Sequence, residues 1–126
     1  MTDTKIIRKS VNLKEKIAKL TDFWQPRVIA EMNDYQFKVT RLKGDFLWHD
    51  HKETDETFFV VKGSLRIDFR DGYVDVGEGE IFVVPKGVEH KPYAEDEVQI
   101  MLIEPRGTLN TGSEGGERTV DPDQWI

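Results

Sequence analysis

Between Arg27 and Pro105 the chain breaks into short runs of alternating or apolar residues, and this pattern constrains the fold more than any other feature. The runs are RVIAEM, YQFKVTRL, TFFVVKG, SLRIDF, YVDV, EIFVVP and VQIMLIEP, set apart by Gly, Pro, Asn and Asp. In YQFKVTRL, Phe37 and Val39 alternate with Gln36 and Lys38, the period of a strand with one covered face. Asp71-Gly72 between two such runs predicts a hairpin with both turn residues at positive φ. Many short strands with such turns predict an all-β, antiparallel sandwich or barrel.

Two segments flank the strands. NLKEKIAKL carries Leu13, Ile17 and Leu20 at i, i+4 and i+7, which predicts a short helix over about 12–21. Asn12 can cap it, and Glu15 completes a capping-box pattern. Its apolar stripe suits packing on the edge of a barrel, with binding of a partner as the alternative. The tail, 105–126, is polar and glycine-rich, and NTGSEGGE within it predicts a mobile loop. Trp125 and Ile126 are out of place on a free tail and should dock on an apolar surface, of this chain or of a partner. The 126 residues suit one domain, 1–126, with a barrel core over about 35–104.

Composition narrows the function. There is no cysteine, which excludes a disulfide framework and thiolate chemistry and permits a reducing compartment. A net charge of −6 without a basic stripe argues against nucleic acid. No apolar run approaches a membrane span, and MTDTKIIRKS lacks the apolar region of a signal peptide. A cytoplasmic protein with no membrane partner is the expectation.

The chemistry lies in WHDHKETDETFFVVKG. Residues two apart on a strand face the same way, so His49 and His51 point to one side and Asp50 to the other. The chain has three histidines, and the third, His90, follows a Pro-x-Gly turn that a closed sheet could bring against the first pair. Glu53, Asp55 and Glu56 are the nearby carboxylates. Glu56 begins a strand and shares the parity of Phe58 and Val60, whereas Glu53 and Asp55 suit a solvated turn. Three imidazoles and a carboxylate suit one divalent ion of Fe, Mn, Ni, Co or Zn and lack the soft ligands of a closed structural zinc site. The alternative is three structural histidines in a barrel without metal.

These residues also carry a resemblance. HDHKETDETFFVVKG reads His-x-His, four residues, Glu, six residues, Gly. GEIFVVPKGVEH reads Gly, five residues, Pro-x-Gly, two residues, His. Both resemble the two motifs of the cupin superfamily, small double-stranded β-helix (jelly-roll) barrels, over about residues 35–104. The resemblance implies metal ligation by His49, His51, Glu56 and His90, with Gly63, Gly79, Pro85 and Gly87 at turns. Within the superfamily the chain resembles small single-domain members described as mannose-6-phosphate-isomerase-like or quercetin-dioxygenase-like, in an uncharacterised bacterial branch. It departs from the pattern at Gly44, one residue closer to the first histidine than usual, and at Ala94, where an asparagine often stands.

The expected pocket lining, Phe58 and Val60 with one face each of IFVV and QIMLI, favours an aromatic or weakly polar small molecule. Arg41 and Lys43 are the only basic pair near the metal in sequence, and they read as a solvated strand face. A metal-dependent enzyme of dioxygenase type is the leading expectation. A non-catalytic binding or sensing module and an isomerase or lyase acting on sugars or keto compounds are the alternatives. In the enzyme readings Glu56, if it leaves the metal, could take the acid–base work. Open sheet edges, and the habit of similar small cupins, predict a homodimer with RVIAEM and Trp125 at the contact.

Overall fold

The structure, a computed structural model, describes residues 8–126; the reading of the first seven residues lies outside them. One helix, α1 (Leu13–Ala18), precedes seven strands: β1 (Arg27–Met32), β2 (Tyr35–Asp45), β3 (Glu56–Lys62), β4 (Leu65–Phe69), β5 (Gly72–Val76), β6 (Ile81–Val84) and β7 (His90–Pro105). All strand pairs are antiparallel, and the sheet runs β1-β2-β7-β3-β6, with β4 pairing β5 and β7. β7 is the hub. It pairs with β2 along most of its length, with β3 through its second half and with β4 through its first. The sheet curls around one apolar cluster drawn from β2 to β7, including Leu42, Phe58, Val60, Leu65, Ile67, Val76, Val98 and Ile100. This is the expected double-stranded β-helix.

α1 is shorter than its sequence pattern, but Asn12 caps it as expected: the Asn12 side chain accepts from the Glu15 amide at 3.0 Å. Ile17 and Leu20 bury against Ile29 and Val39 on the outside of the barrel. Ile126 joins that cluster, and its amide donates to the Val28 carbonyl at 3.1 Å, so the end of the chain lies beside β1 of its own barrel. Trp125 stays exposed.

Three local expectations change. The β4–β5 hairpin turns at Arg70-Asp71, one residue early, because Phe69 pairs with Gly72. Neither turn residue has positive φ. β7 begins at His90, eight residues before the apolar run VQIMLIEP, because β4 pairs with His90, Lys91, Pro92 and Tyr93 and β2 pairs with Tyr93 and Ala94. The two departures from the cupin pattern meet: Gly44, with φ +78°, pairs with buried Ala94 where the β2–β7 register shifts. Among the described residues no helix is long and apolar enough to cross a membrane.

Candidate metal centre

His49, His51, Glu56 and His90 each present a ligand atom, all within 4.8 Å of one another, and all four residues are buried. The backbone assembles them. His49 and His90 form an isolated antiparallel bridge, exchanging amide-to-carbonyl bonds of 3.0 and 2.9 Å. The His51 carbonyl accepts from the Gly87 amide at 2.8 Å, which ties the first motif to the Pro-x-Gly turn. Glu56 opens β3 and pairs with Val84. His49 and His51 lie just outside a regular strand, in an extended segment that still keeps the expected alternation. Glu53 and Asp55 are exposed. Arg41 holds Glu97 on the outer face, away from the cluster, and Lys43 is exposed.

The donors suit a cation. His49 Nδ1 lies 3.0 Å from the Leu47 carbonyl and His90 Nδ1 lies 2.9 Å from that of Val88. A carbonyl accepts only, so each Nδ1 carries the proton and each Nε2 keeps a lone pair for the centre. His51 Nε2 is buried without a properly aligned hydrogen-bond partner, although Glu56 Oε1 is 3.3 Å away. Glu56 Oε1 is also 3.3 Å from His90 Nε2. A buried ring nitrogen without an aligned partner, beside a shared carboxylate oxygen, fits a divalent ion.

Charge is distributed unevenly. Burial, helped by His90, lowers the His49 imidazole to about 4. Burial also opposes protonation of His51, but its contact with Glu56 outweighs this and raises it. Burial pushes the Glu56 carboxyl up, and its close contacts with His51 and His90 more than offset that, holding it well below the usual carboxylate range. Behind Glu56 lies Glu104, raised well above that range by burial and by the Glu56 charge.

Beside the centre is a cavity of about 30 Å³, lined by apolar side chains including Trp24, Leu42, Phe46, Phe58 and Leu102, with His49, Glu56, Thr40 and Asn110 as its polar members. It has room for about two water molecules. Phe58 lines it as expected, whereas Val60 sits one strand repeat further along β3, in the apolar core. Trp24 and Phe46 were not singled out in the sequence. Their rings stack at 4.8 Å, and the Arg118 guanidinium lies 4.5 Å from the Phe46 ring centre. Trp24 adopts φ +63°, held by its amide bond to the Arg41 carbonyl and its indole bond to that of Lys43, each 2.8 Å.

Residues 111–113 of the segment read as mobile pack on the first motif. Thr111 is fully buried, the Ser113 amide donates to the Asp50 carbonyl at 3.0 Å, and the Ser113 hydroxyl bonds the Asp50 carboxylate. Gly112, with φ +58°, makes this contact: a Cβ there would lie 1.9 Å from the Asp50 carbonyl oxygen and 3.2 Å from His51 Nδ1. The glycine serves close approach rather than flexibility.

Comparison with known proteins agrees with this reading. The uncharacterized protein YdbB of Bacillus subtilis (strain 168) is 36% identical over 64 residues, 50% of this chain and 57% of that protein, so the match spans little more than half of its length. The crystal structure of a cupin-2 domain containing protein from Shewanella frigidimarina is 53% identical, with a TM-score of 0.75, over 76% of this chain and 94% of that one. The hydroquinone 1,2-dioxygenase PnpCD, solved with Cd2+ and 4-hydroxybenzonitrile, shares the fold at 18% identity and a TM-score of 0.65, covering 85% of this chain and 83% of its own. The family model described as "Cupin domain" matches residues 39–104, a span that contains all four clustered side chains. A match of that extent, over the strands that carry the cluster, makes this chain a member of the cupin family.

Proposed function

We propose that the chain binds one divalent metal ion through His49, His51, Glu56 and His90 and is an enzyme of dioxygenase type acting on a small, uncharged organic molecule. The observation that carries this reading is the convergence of three imidazoles and a carboxylate on one buried point beside an apolar cavity. A divalent ion there supplies a Lewis acid that, when six-coordinate, keeps two positions for exchangeable ligands. The chain's own residues do the rest. The two backbone carbonyls fix the tautomers of His49 and His90, and Trp24, Phe46 and Phe58 exclude water. No lysine or arginine lines the cavity, which disfavours a phosphorylated sugar. That PnpCD, on the same fold, is a hydroquinone dioxygenase supports the compatibility of fold and chemistry and nothing finer.

The small cavity favours a second reading, a binding module without turnover, since about two waters fill it. Oxygen uptake and product formation by Fe-, Mn-, Ni-, Co- and Zn-loaded protein, tested against phenols and diketones, separate the two. Turnover by at least one metal form, lost in Glu56→Ala, is expected. Measurable binding without turnover in every form would replace the enzyme reading with the binding module. The homodimer expected from the sequence is part of the proposal: Met32, Tyr35 and Trp125 are exposed on and beside the β1 edge.

A further inference from the structure

β2, β7 and β3 lie side by side, and their alternation points one row of residues inward from each. On β2 this row reads Gln36, Lys38, Thr40, Leu42, every one buried. Lys38 is 2% exposed, rare for a lysine at any position in a small protein. Its Nζ lies 2.8 Å from Glu104 Oε2 and 3.4 Å from the Thr108 carbonyl. Glu104, also buried, faces Gln36 in the β2–β7 register. In the β3–β7 register Thr57 faces Ile103, so one step further sets Glu56 across from Glu104. Glu104 Oε2 is taken by Lys38, while its Oε1 is buried without a hydrogen-bond partner on the face that Glu56 shares. Lys38, Glu104 and Glu56 therefore form a continuous buried chain that ends at the metal cluster.

Neither Lys38 nor Glu104 lines the cavity. A buried polar pair of this kind is weak evidence of a stabilising role, because replacing both partners by apolar residues is often neutral for stability. What the pair touches is the one carboxylate of the cluster. We propose that Lys38 and Glu104 are positioning residues for the metal centre: anchored by Lys38, Glu104 braces the Glu56 carboxylate from behind and fixes the direction in which its Oε1 faces the three imidazoles. Outer partners of this kind carry roughly 10–100-fold in metal affinity. The inference rests on the metal reading above and adds residues that the two motifs do not contain.

The test is Zn(II) and Co(II) affinity by chelator competition, with the Co(II) absorption spectrum and the metal-free melting temperature recorded for each variant. Glu104→Gln keeps an acceptor for Lys38 and a donor for Glu56, and should bind within about threefold of the wild type. The double variant Lys38→Met/Glu104→Leu removes both buried polar partners together and leaves neither stranded, so it should fold with a melting temperature near that of the wild type. It should nevertheless bind at least about tenfold more weakly, with a shifted Co(II) spectrum. If the wild type binds metal and the double variant loses less than tenfold, the pair is structural and the proposal fails. If the wild type itself binds no metal, it is the metal reading that fails.

Discussion

The two ends of the barrel interior are filled by opposite means. At one end Gln36, Lys38, Glu104, Glu56 and the three histidines crowd together, all of them buried. At the other, Val60, Leu65, Ile67, Val76 and Val98 close the barrel with hydrocarbon alone. β3 crosses from one regime to the other within five residues, Glu56 to Phe58 to Val60, with the same face inward throughout. Burying charge costs stability unless each group is partnered, and burying hydrocarbon supplies it. The apolar end therefore holds the fold, and the polar end is stability spent on a site. If that division is right, substitutions at the two ends have separable consequences.

The largest stability effect belongs to the apolar end. Ile67→Ala empties a fully buried position and should cost about 2–5 kcal/mol, read by denaturant unfolding of the metal-free protein. Metal affinity of the folded fraction should stay within about twofold. A matching loss of affinity would break the comparison, since it would mean that the hydrocarbon end also shapes the site.

Acid should act at the polar end. In the metal-free protein His51 is raised above 6.5, so it still holds a proton there that an incoming metal must displace. His49, lowered to about 4, is already neutral. Apparent affinity should therefore rise as pH climbs through 6.5, by about tenfold per pH unit while one proton is displaced, and flatten once His51 is neutral. Calorimetric titrations across this range check it, and a flat profile would show that proton competition at His51 is absent.

Smaller still is the effect of the packed tail. Gly112→Ala must push either the tail or the Asp50–His51 backbone aside, at about 1–3 kcal/mol. Because the tail rests on Asp50, the residue that joins His49 to His51, metal affinity should fall as well, by several-fold. An unchanged affinity alongside a lowered melting temperature would make residues 111–113 a cover for the barrel rather than a support for His51.

The sequence and the structure agree where the signal is local. Strand alternation and the His-x-His spacing depend on residues a few positions apart, so the seven strands and the shared face of His49, His51 and Glu56 were legible, whereas His90 joined them as the remaining histidine and through the resemblance. The first half of β7 was not, because KPYAEDE carries no apolar period and is a strand only through partners on both sides. Gly112 was misread for a similar reason: composition alone does not distinguish a glycine that bends freely from one that admits a neighbouring backbone. The Lys38–Glu104 pair joins residues 66 positions apart in the chain. Alternation hints that Lys38 points inward, but only the pairing of β2 with β7 shows what it meets. Trp24 belongs to the same class, reaching the cavity from a segment with no pattern of its own.

The central claim is that the buried polar end exists to hold one metal ion. Elemental analysis of protein purified without chelators, on the wild type and on His49→Ala, His51→Ala, His90→Ala, Asp50→Ala and Glu53→Ala, tests it most directly. The account predicts close to one divalent ion per chain in the wild type, Asp50→Ala and Glu53→Ala, and loss of most of it in each histidine variant. Full occupancy in two of the three histidine variants, or a wild type that takes up none of Fe, Mn, Ni, Co and Zn at neutral pH, would contradict it.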